Sequence, residues 1–353
     1  MNDKSEKLLR EANLDALLIT NRENRFYLSG FTGSNGVLLL TADEVILFTD
    51  SRYVEQARSE SPGVSLRCLE SSIYDGIGSV IDNDIINTIG FEADDLSYSQ
   101  YIKLKDNFKG IKFVPTNGLV ENLRVIKNDG EIASIKHAAH IADRTFDHIL
   151  GLIEPGVKES DIALEMEYFM RKAGAEGIAF DFIVASGKRS ALPHGRASEK
   201  RIEKGDLLTI DFGAVYDRYH SDMTRTLVIG SPIPKQRQIY DLVLEAQLAG
   251  IEKVRAGVKA SEIDASSRDT IDEQGYGEYF RHSTGHGVGL SVHEEPRISV
   301  KNDFIMQAGM VITVEPGVYL PGWGGVRIED MVVVTEEGCE IITESPKKKL
   351  IQI

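Results

Sequence analysis

Among the acidic and histidine residues of this sequence, five stand in contexts that suit a divalent-cation site, and four of them recur on an internal repeat. Residues 205–211 (GDLLTID) are echoed by residues 309–315 (GMVITVE), so Asp211 and Glu315 close equivalent apolar runs. Asp222 in Ser221-Asp222-Met223 and Glu329 in Ile328-Glu329-Asp330-Met331 each lead into a β-branched run. A carboxylate within an apolar strand is seldom left without a partner, because burying a lone charge is costly. If the two halves pack about a local two-fold axis, four carboxylates meet at its centre, and mutually repelling anions there require cations between them. His286, set among glycines in Ser283-Thr284-Gly285-His286-Gly287-Val288-Gly289, adds an imidazole where the backbone can come close to a neighbour. Five donors are too many for one small ion with an open position; two ions about 3.5–4 Å apart that share carboxylates fit better. The oxygen-rich set favours manganese, with iron, cobalt or zinc able to occupy it. Such a pair would acidify a shared water to hydroxide near neutral pH.

Other chemistries fail on spacing. His293-Glu294-Glu295-Pro296-Arg297 opens like HExxH but has Arg297 in place of the second histidine, and its proline spoils a helix. There is no GxSxG elbow for a serine hydrolase. Cys68 and Cys339 lie far apart with no CxxC and read as reduced thiols. Gly285-His286-Gly287 lacks the later glycine of a dinucleotide loop, and Gly33-Ser34-Asn35-Gly36 is a turn feeding a hairpin rather than a phosphate loop. Arg327 stands two residues before Glu329, on the same side of a strand, where it can hold a ligating carboxylate in place.

The elements that must position these groups are repeated too. Residues 156–162 (GVKESDI) return as 257–263 (GVKASEI). Ser160 and Ser261 are the expected N-caps of equivalent helices, each followed by an acidic residue that suits the helix dipole. Residues 131–153 carry Ile132, Ile135, Ala139, Ala142, Phe146 and Ile149 at helical spacing, ended by Pro155-Gly156, and the helix beginning at Pro234 is their counterpart. Each half is thus two helices followed by strands. The expected fold is an α+β domain in which helices cover one face of a curved, largely antiparallel sheet and the site lies on the other. Residues 1–120 alternate short strands with helices and read as a separate α/β domain with a mixed sheet. Residues 121–130 then connect to the catalytic domain at 131–353. The closing Lys347-Lys348-Lys349 reads as a solvated surface run.

The bulk numbers agree with a two-domain chain. The chain has 353 residues, 42% of them hydrophobic and 27% charged, which suits two cores rather than one. A net charge of −15 argues against nucleic acid or an anionic membrane as partner. No apolar run approaches a membrane span, and the charged start lacks the apolar core of a signal peptide, so a cytoplasmic location is expected.

With this spacing, Asp211, Asp222, His286, Glu315 and Glu329 resemble the dinuclear site of the pita-bread metallopeptidases, which include methionine aminopeptidase, aminopeptidase P, prolidase and creatinase. Leu192-Pro193-His194-Gly195, His282 through Gly289, Val292-His293-Glu294-Glu295-Pro296, Val314-Glu315-Pro316-Gly317 and Val326-Arg327-Ile328-Glu329-Asp330 are similar to the proline-specific branch. Residues 26–33 (FYLSGFTG) and 49–53 (TDSRY) look like the N-terminal domain of aminopeptidase P, prolidase and creatinase. The resemblance implies hydrolysis of the bond before proline in dipeptides or short peptides, two divalent ions, and a homodimer. It implies that Asp211 and Glu315 each bind one ion, that Asp222 and Glu329 bridge, and that His286 completes the shell of the ion that Glu315 binds. It also implies that His194 contacts the substrate amide, that His293 steadies the carbonyl oxygen, that His282 lines a proline pocket beside Tyr319, and that Glu315 shuttles protons. Arg297 is a candidate clamp for a substrate carboxylate directly after proline, since a guanidinium pairs with a carboxylate as a fork. A creatinase-like C–N hydrolase and a non-catalytic binding protein on the same scaffold are the competing expectations.

Overall fold

Alternation along the Leu207–Phe212 strand decides which way the second part of the chain faces. Leu208, Ile210 and Phe212 point one way, into a core with Phe146, Ile149, Ile162 and Met166, while Thr209 and Asp211 point the other. The same division holds in the repeat: Ile312 and Val314 pack with Ile263, Val332 and Val334, leaving Thr313 and Glu315 for the opposite face.

The computed structural model describes residues 2–69, 72–81 and 86–353. The chain divides into two units, Met1–Arg124 and Val125–Ile353.

The first unit is built on a six-stranded mixed sheet in the order Ser65–Leu69, Val45–Asp50, Val37–Thr41, Ala16–Ile19, Thr88–Glu92, Lys112–Thr116. The Val37–Thr41 and Val45–Asp50 strands form the expected hairpin. Apolar patterning does not announce the helix Arg22–Ser29, because its buried residues are Asn24, Arg25 and Ser29. It is set instead by polar contacts: Asn21 accepts from the Asn24 N–H at 2.9 Å, and Arg25 donates to the Gly33 carbonyl at 2.6 Å.

In the second unit the helices Asp129–Leu150 and Glu159–Lys172 cover the strands Ile183–Ser186, Leu207–Phe212 and Met223–Val228. The helices Pro234–Lys253 and Ala260–Glu273 serve the repeated half, whose sheet runs Glu294–Ile298, Gly285–Gly287, Val311–Val314, Asp330–Val334, Cys339–Ile341. Pairings are antiparallel except where Met223–Val228 runs parallel to Ile351–Gln352. The halves are stitched on their inner faces: the Glu329 N–H donates to the Thr224 carbonyl at 3.2 Å, and the Thr226 hydroxyl to the Arg327 carbonyl at 2.9 Å.

Two expectations are corrected. Ser160 and Ser261 lie inside their helices, whose N-caps are Lys158 and Lys259 without side-chain caps. The first-turn N–H groups are taken by backbone instead: Glu159 and Ser160 donate to the carbonyls of Lys200 and Ser198, and Ala260 and Ser261 to those of Phe304 and Asn302. A returning loop segment satisfies these donors in both halves, so no capping hydroxyl is required. Lys347 is not a solvated lysine either. Its ammonium reaches inward to the buried Asp330 carboxylate and to Gln247, while Lys348 and Lys349 stay exposed. Among the described residues no helix is long and apolar enough to cross a membrane, and Cys68 and Cys339 are both free.

Candidate metal centre

The strand register brings the acidic residues together from opposite halves. Asp211 sits opposite Thr224 in one antiparallel pair, and Val314 opposite Asp330 in the other, so Asp222, Glu315 and Glu329 lie at strand ends beside it. Ligand atoms of Asp222, His286 and Glu329 all lie within 4.8 Å of one another. His286 Nε2 is 3.5 Å from Asp222 Oδ2 and 3.4 Å from Glu315 Oε1. Its Nδ1 faces the Gly287 carbonyl at 3.0 Å. A carbonyl can only accept, so Nδ1 carries the proton and Nε2 offers its lone pair to the cluster.

The supporting contacts are equally directed. Arg327 donates through Nη2 to Asp211 Oδ2 at 2.5 Å, through Nε to Thr224 Oγ1 at 2.9 Å and through Nη1 to the Tyr319 hydroxyl at 2.7 Å. The Thr224 hydroxyl in turn donates a hydrogen bond to Glu329 Oε2 at 2.7 Å. Thr313 does the same for Glu315 Oε1 at 3.4 Å, and its oxygen accepts the His286 N–H. Nothing in composition or periodicity marked Thr224 or Thr313. The trace left in the sequence is their place one residue to either side of an apolar neighbour, facing the same way as a ligand.

Electrostatics then show what the cluster lacks. Burial, followed by repulsion from Glu329, Asp211 and Glu315, pushes the Asp222 carboxyl well above the usual range. Burial and the neighbouring Glu315 and Asp211 do the same to Glu329, and burial raises Glu315 to about 7. Arg327 is the one cation facing these groups in those interactions. Asp211 Oδ1 is buried and has no hydrogen-bond donor. Surplus buried anions and an orphaned carboxylate oxygen fit divalent cations held by oxygen-rich donors.

A prediction follows for the metal-free protein. Its folded state holds the Glu315 proton more tightly than the unfolded chain does, so stability from this group is full below pH 4.5 and is lost as pH rises through about 7. Cation binding needs the carboxylate form and must expel that proton. Calorimetric titration with manganese at pH 6, in two buffers of different ionisation enthalpy, will show proton release, and affinity will rise between pH 5 and 7. Binding without proton release would contradict the cluster.

The substrate-side residues divide. His282 lies near Tyr319, with Nε2 3.0 Å from its hydroxyl, and Nδ1 is 2.8 Å from the Ser283 carbonyl. Burial, then the charge of Arg327, lowers the His282 pKa to about 4, leaving it neutral. The His293 ring lies tilted beside His286 with centroids 4.4 Å apart, and partial burial followed by the neighbouring His286 imidazole lowers its pKa. His194 is exposed and lies close enough to interact electrostatically with both His282 and His293. Arg297 is exposed on the Glu294–Ile298 strand, and its guanidinium makes no hydrogen bond or ion pair among the described residues.

Comparison with known proteins agrees with this geometry. The model of metallopeptidase family M24 matches residues 133–336, and that of the creatinase/prolidase N-terminal domain matches residues 3–126. The chain is 43% identical to the Xaa-Pro dipeptidase of Pyrococcus furiosus, covering 99% of this chain and 100% of that one. A solved Xaa-Pro dipeptidase from Bacillus anthracis superposes with a TM-score of 0.96 at 49% identity over 100% of this chain and 99% of that one. An X-Pro aminopeptidase from Thermotoga maritima gives 0.92 at 42% identity over 98% and 100%. Similarity of this extent over both parts of the sequence places the chain in metallopeptidase family M24, with the creatinase/prolidase type of N-terminal domain.

Proposed function

We propose that the chain is a dinuclear metal-dependent exopeptidase that hydrolyses the Xaa-Pro bond at the N-terminus of dipeptides or short peptides. The observation that carries this reading is the buried cluster of Asp222, His286 and Glu329, with Glu315 3.4 Å from His286 and a buried, donor-free oxygen on Asp211, whose charge acts on all three carboxyls. These five residues would hold two divalent ions, manganese being favoured by four carboxylates against one imidazole. When bound, such ions acidify a water and polarise the scissile carbonyl. Relatives named for Xaa-Pro hydrolysis support the substrate class.

The chain's own groups do the rest. Arg327 fixes the Asp211 carboxylate, and Thr224 fixes that of Glu329. Glu315, buried beside His286 Nε2 at 3.4 Å, takes a proton and passes it to the leaving nitrogen. His293, neutral at pH 7 and beside the cluster, donates to the carbonyl oxygen as charge develops there. His194 contacts the substrate amide. His282 and the Tyr319 hydroxyl form one wall of the pocket for the proline ring. Proline requires such a pocket because its nitrogen carries no hydrogen and its ring fixes the backbone. A cytoplasmic homodimer completes this reading, on the family resemblance.

Gly-Pro and Gly-Pro-Xaa peptides test it together. Failure of the manganese-loaded protein to cleave either one rejects the substrate class. Arg297 decides between the two. Its free guanidinium can clamp a carboxylate directly after proline, and a charge-assisted pair contributes about 1.5–3 kcal/mol. Arg297→Ala will slow Gly-Pro hydrolysis roughly 10- to 100-fold and leave Gly-Pro-Xaa unchanged; equal effects on both would remove the clamp.

A further inference from the structure

We infer that Asp264 and Arg268, on the helix Ala260–Glu273, are positioning residues that set the proline pocket through His282; the inference rests on the proposed prolyl specificity. Asp264 is fully buried. It accepts from the Thr284 hydroxyl at 2.7 Å and from the Thr284 N–H at 3.2 Å. Arg268, one turn further along the helix, forms a two-pronged pair with the same carboxylate at 2.8 and 2.9 Å. Its remaining donors go to the carbonyls of Phe280 and His282, each at 2.8 Å, and its guanidinium lies 4.2 Å over the Phe280 ring. One helix carboxylate and one guanidinium therefore grip residues 280–284 at both ends.

Residues 280–283 lie outside any strand, the Thr284 N–H also donates to the Ile298 carbonyl at 2.9 Å, and the segment leads directly into the Gly285–Gly287 strand. What it carries is His282. From its ring a directed chain of hydrogen bonds runs to the metal centre. Arg327 donates to the Tyr319 oxygen, the Tyr319 hydroxyl donates to His282 Nε2, and His282 Nδ1 donates to the Ser283 carbonyl. The Thr284 carbonyl meanwhile accepts the Glu315 N–H at 2.7 Å. Shifting residues 280–284 would move the His282 ring away from Tyr319. Lysine at 268 could keep the charge beside Asp264, but its single nitrogen cannot reach the carboxylate and both carbonyls in one planar fork.

The first half uses the same device. Glu159, fully buried on its helix, accepts from the N–H and hydroxyl of Ser186, the N–H and hydroxyl of Ser198, and Arg189 Nε, at 2.6–3.2 Å. Those residues bracket the loop that carries His194. Each half of the duplicated fold therefore spends one buried helix carboxylate on the loop bearing a substrate-side histidine.

The test compares wild type, Arg268→Lys, His282→Ala and the double variant, all manganese-loaded with metal content measured. Arg268→Lys is expected to raise KM for Gly-Pro roughly tenfold with kcat nearly unchanged, the pattern of lost uniform binding. Added to His282→Ala it is expected to change nothing further, since a residue acting through another is not additive with it. Additive losses, or an unchanged KM in Arg268→Lys, overturn the inference. Nitrogen-15 spectra of the His282 ring in the metal-free protein give a readout independent of turnover. Wild type is expected to show the Nδ1-protonated tautomer and Arg268→Lys a shifted or mixed one; identical spectra overturn the inference. If Arg268→Lys does not fold, Asp264→Asn, which keeps the side-chain shape, replaces it with the same expected results. A wild type that cleaves no prolyl peptide rejects the substrate reading, and the tautomer comparison still decides whether Arg268 positions His282.

Discussion

Asp222→Asn will lower prolyl-peptide hydrolysis about a thousandfold, an effect of several kcal/mol on the transition state. The amide keeps the volume of the side chain and removes its charge from a site where Glu329, Asp211 and Glu315 surround it and His286 Nε2 stands 3.5 Å away. Chelation of the wild type will abolish activity in the same way, and manganese will restore it. A second readout separates lost metal binding from lost folding. In the absence of cations Asp222 is one of several mutually repelling buried carboxyls, so the metal-free Asn variant will melt at or above the metal-free wild type, while its stabilisation by manganese will shrink. Full-rate hydrolysis by Asp222→Asn, or indifference of the wild type to chelation, would remove the metal centre from the account.

Arg225→Ala carries the largest expected cost in stability, about 3–5 kcal/mol, because it breaks a buried ion pair and leaves its partner behind. Arg225 is 1% exposed and its partner Asp330 is fully buried. The guanidinium donates to Asp330 Oδ1 at 2.8 Å, to the Ser345 carbonyl twice, to the Thr224 carbonyl at 2.9 Å and to the Glu329 carbonyl. Asp330 also takes Gln247, Thr343 and Lys347. Burial alone would raise the Asp330 carboxyl, but Arg225 and Lys347 outweigh it and hold it below its ordinary value. This contribution is therefore present above the unfolded carboxyl's pKa near 3.8 and lost as pH falls through the lower folded value. For a unit of this size the melting temperature should fall by roughly 10 °C. Lys136→Ala provides the contrast. Its pair with Glu340 is 40% and 55% exposed, and removing it should cost no more than about 0.5 kcal/mol. Equal effects of the two substitutions would contradict the weight given to burial. Because Arg225 also holds the Glu329 and Thr224 carbonyls, its loss is expected to weaken manganese binding as well, read as a lower stoichiometry after gel filtration.

How much of this was legible in the sequence depends on where each residue's partners lie. The carboxylates Asp211 and Glu315 stood out because each interrupts an apolar strand whose alternation fixes the core side, and because the repeat supplied the same pattern twice. His286 and Arg327 were legible from glycines and from strand parity. The helix Arg22–Ser29 was not, because polar residues make up its buried face. The N-caps at Ser160 and Ser261 were misread for a related reason: the helix donors are met by the carbonyls of Lys200, Ser198, Phe304 and Asn302, which local sequence does not reveal. Lys347 looked like surface because its partner, Asp330, precedes it by 17 residues and is buried.

Sequence by itself determined the donor types, the duplicated order of elements and the direction each strand residue faces, since those follow from chemistry and from the two-residue period of a strand. Tertiary structure alone decided which threonine orients which oxygen, and that Asp264, Arg268, Arg225 and Asp330 hold the loops and strands in place. Some of those pairings join residues more than a hundred positions apart, and a hydrogen bond at that separation leaves no periodic trace in the chain that makes it.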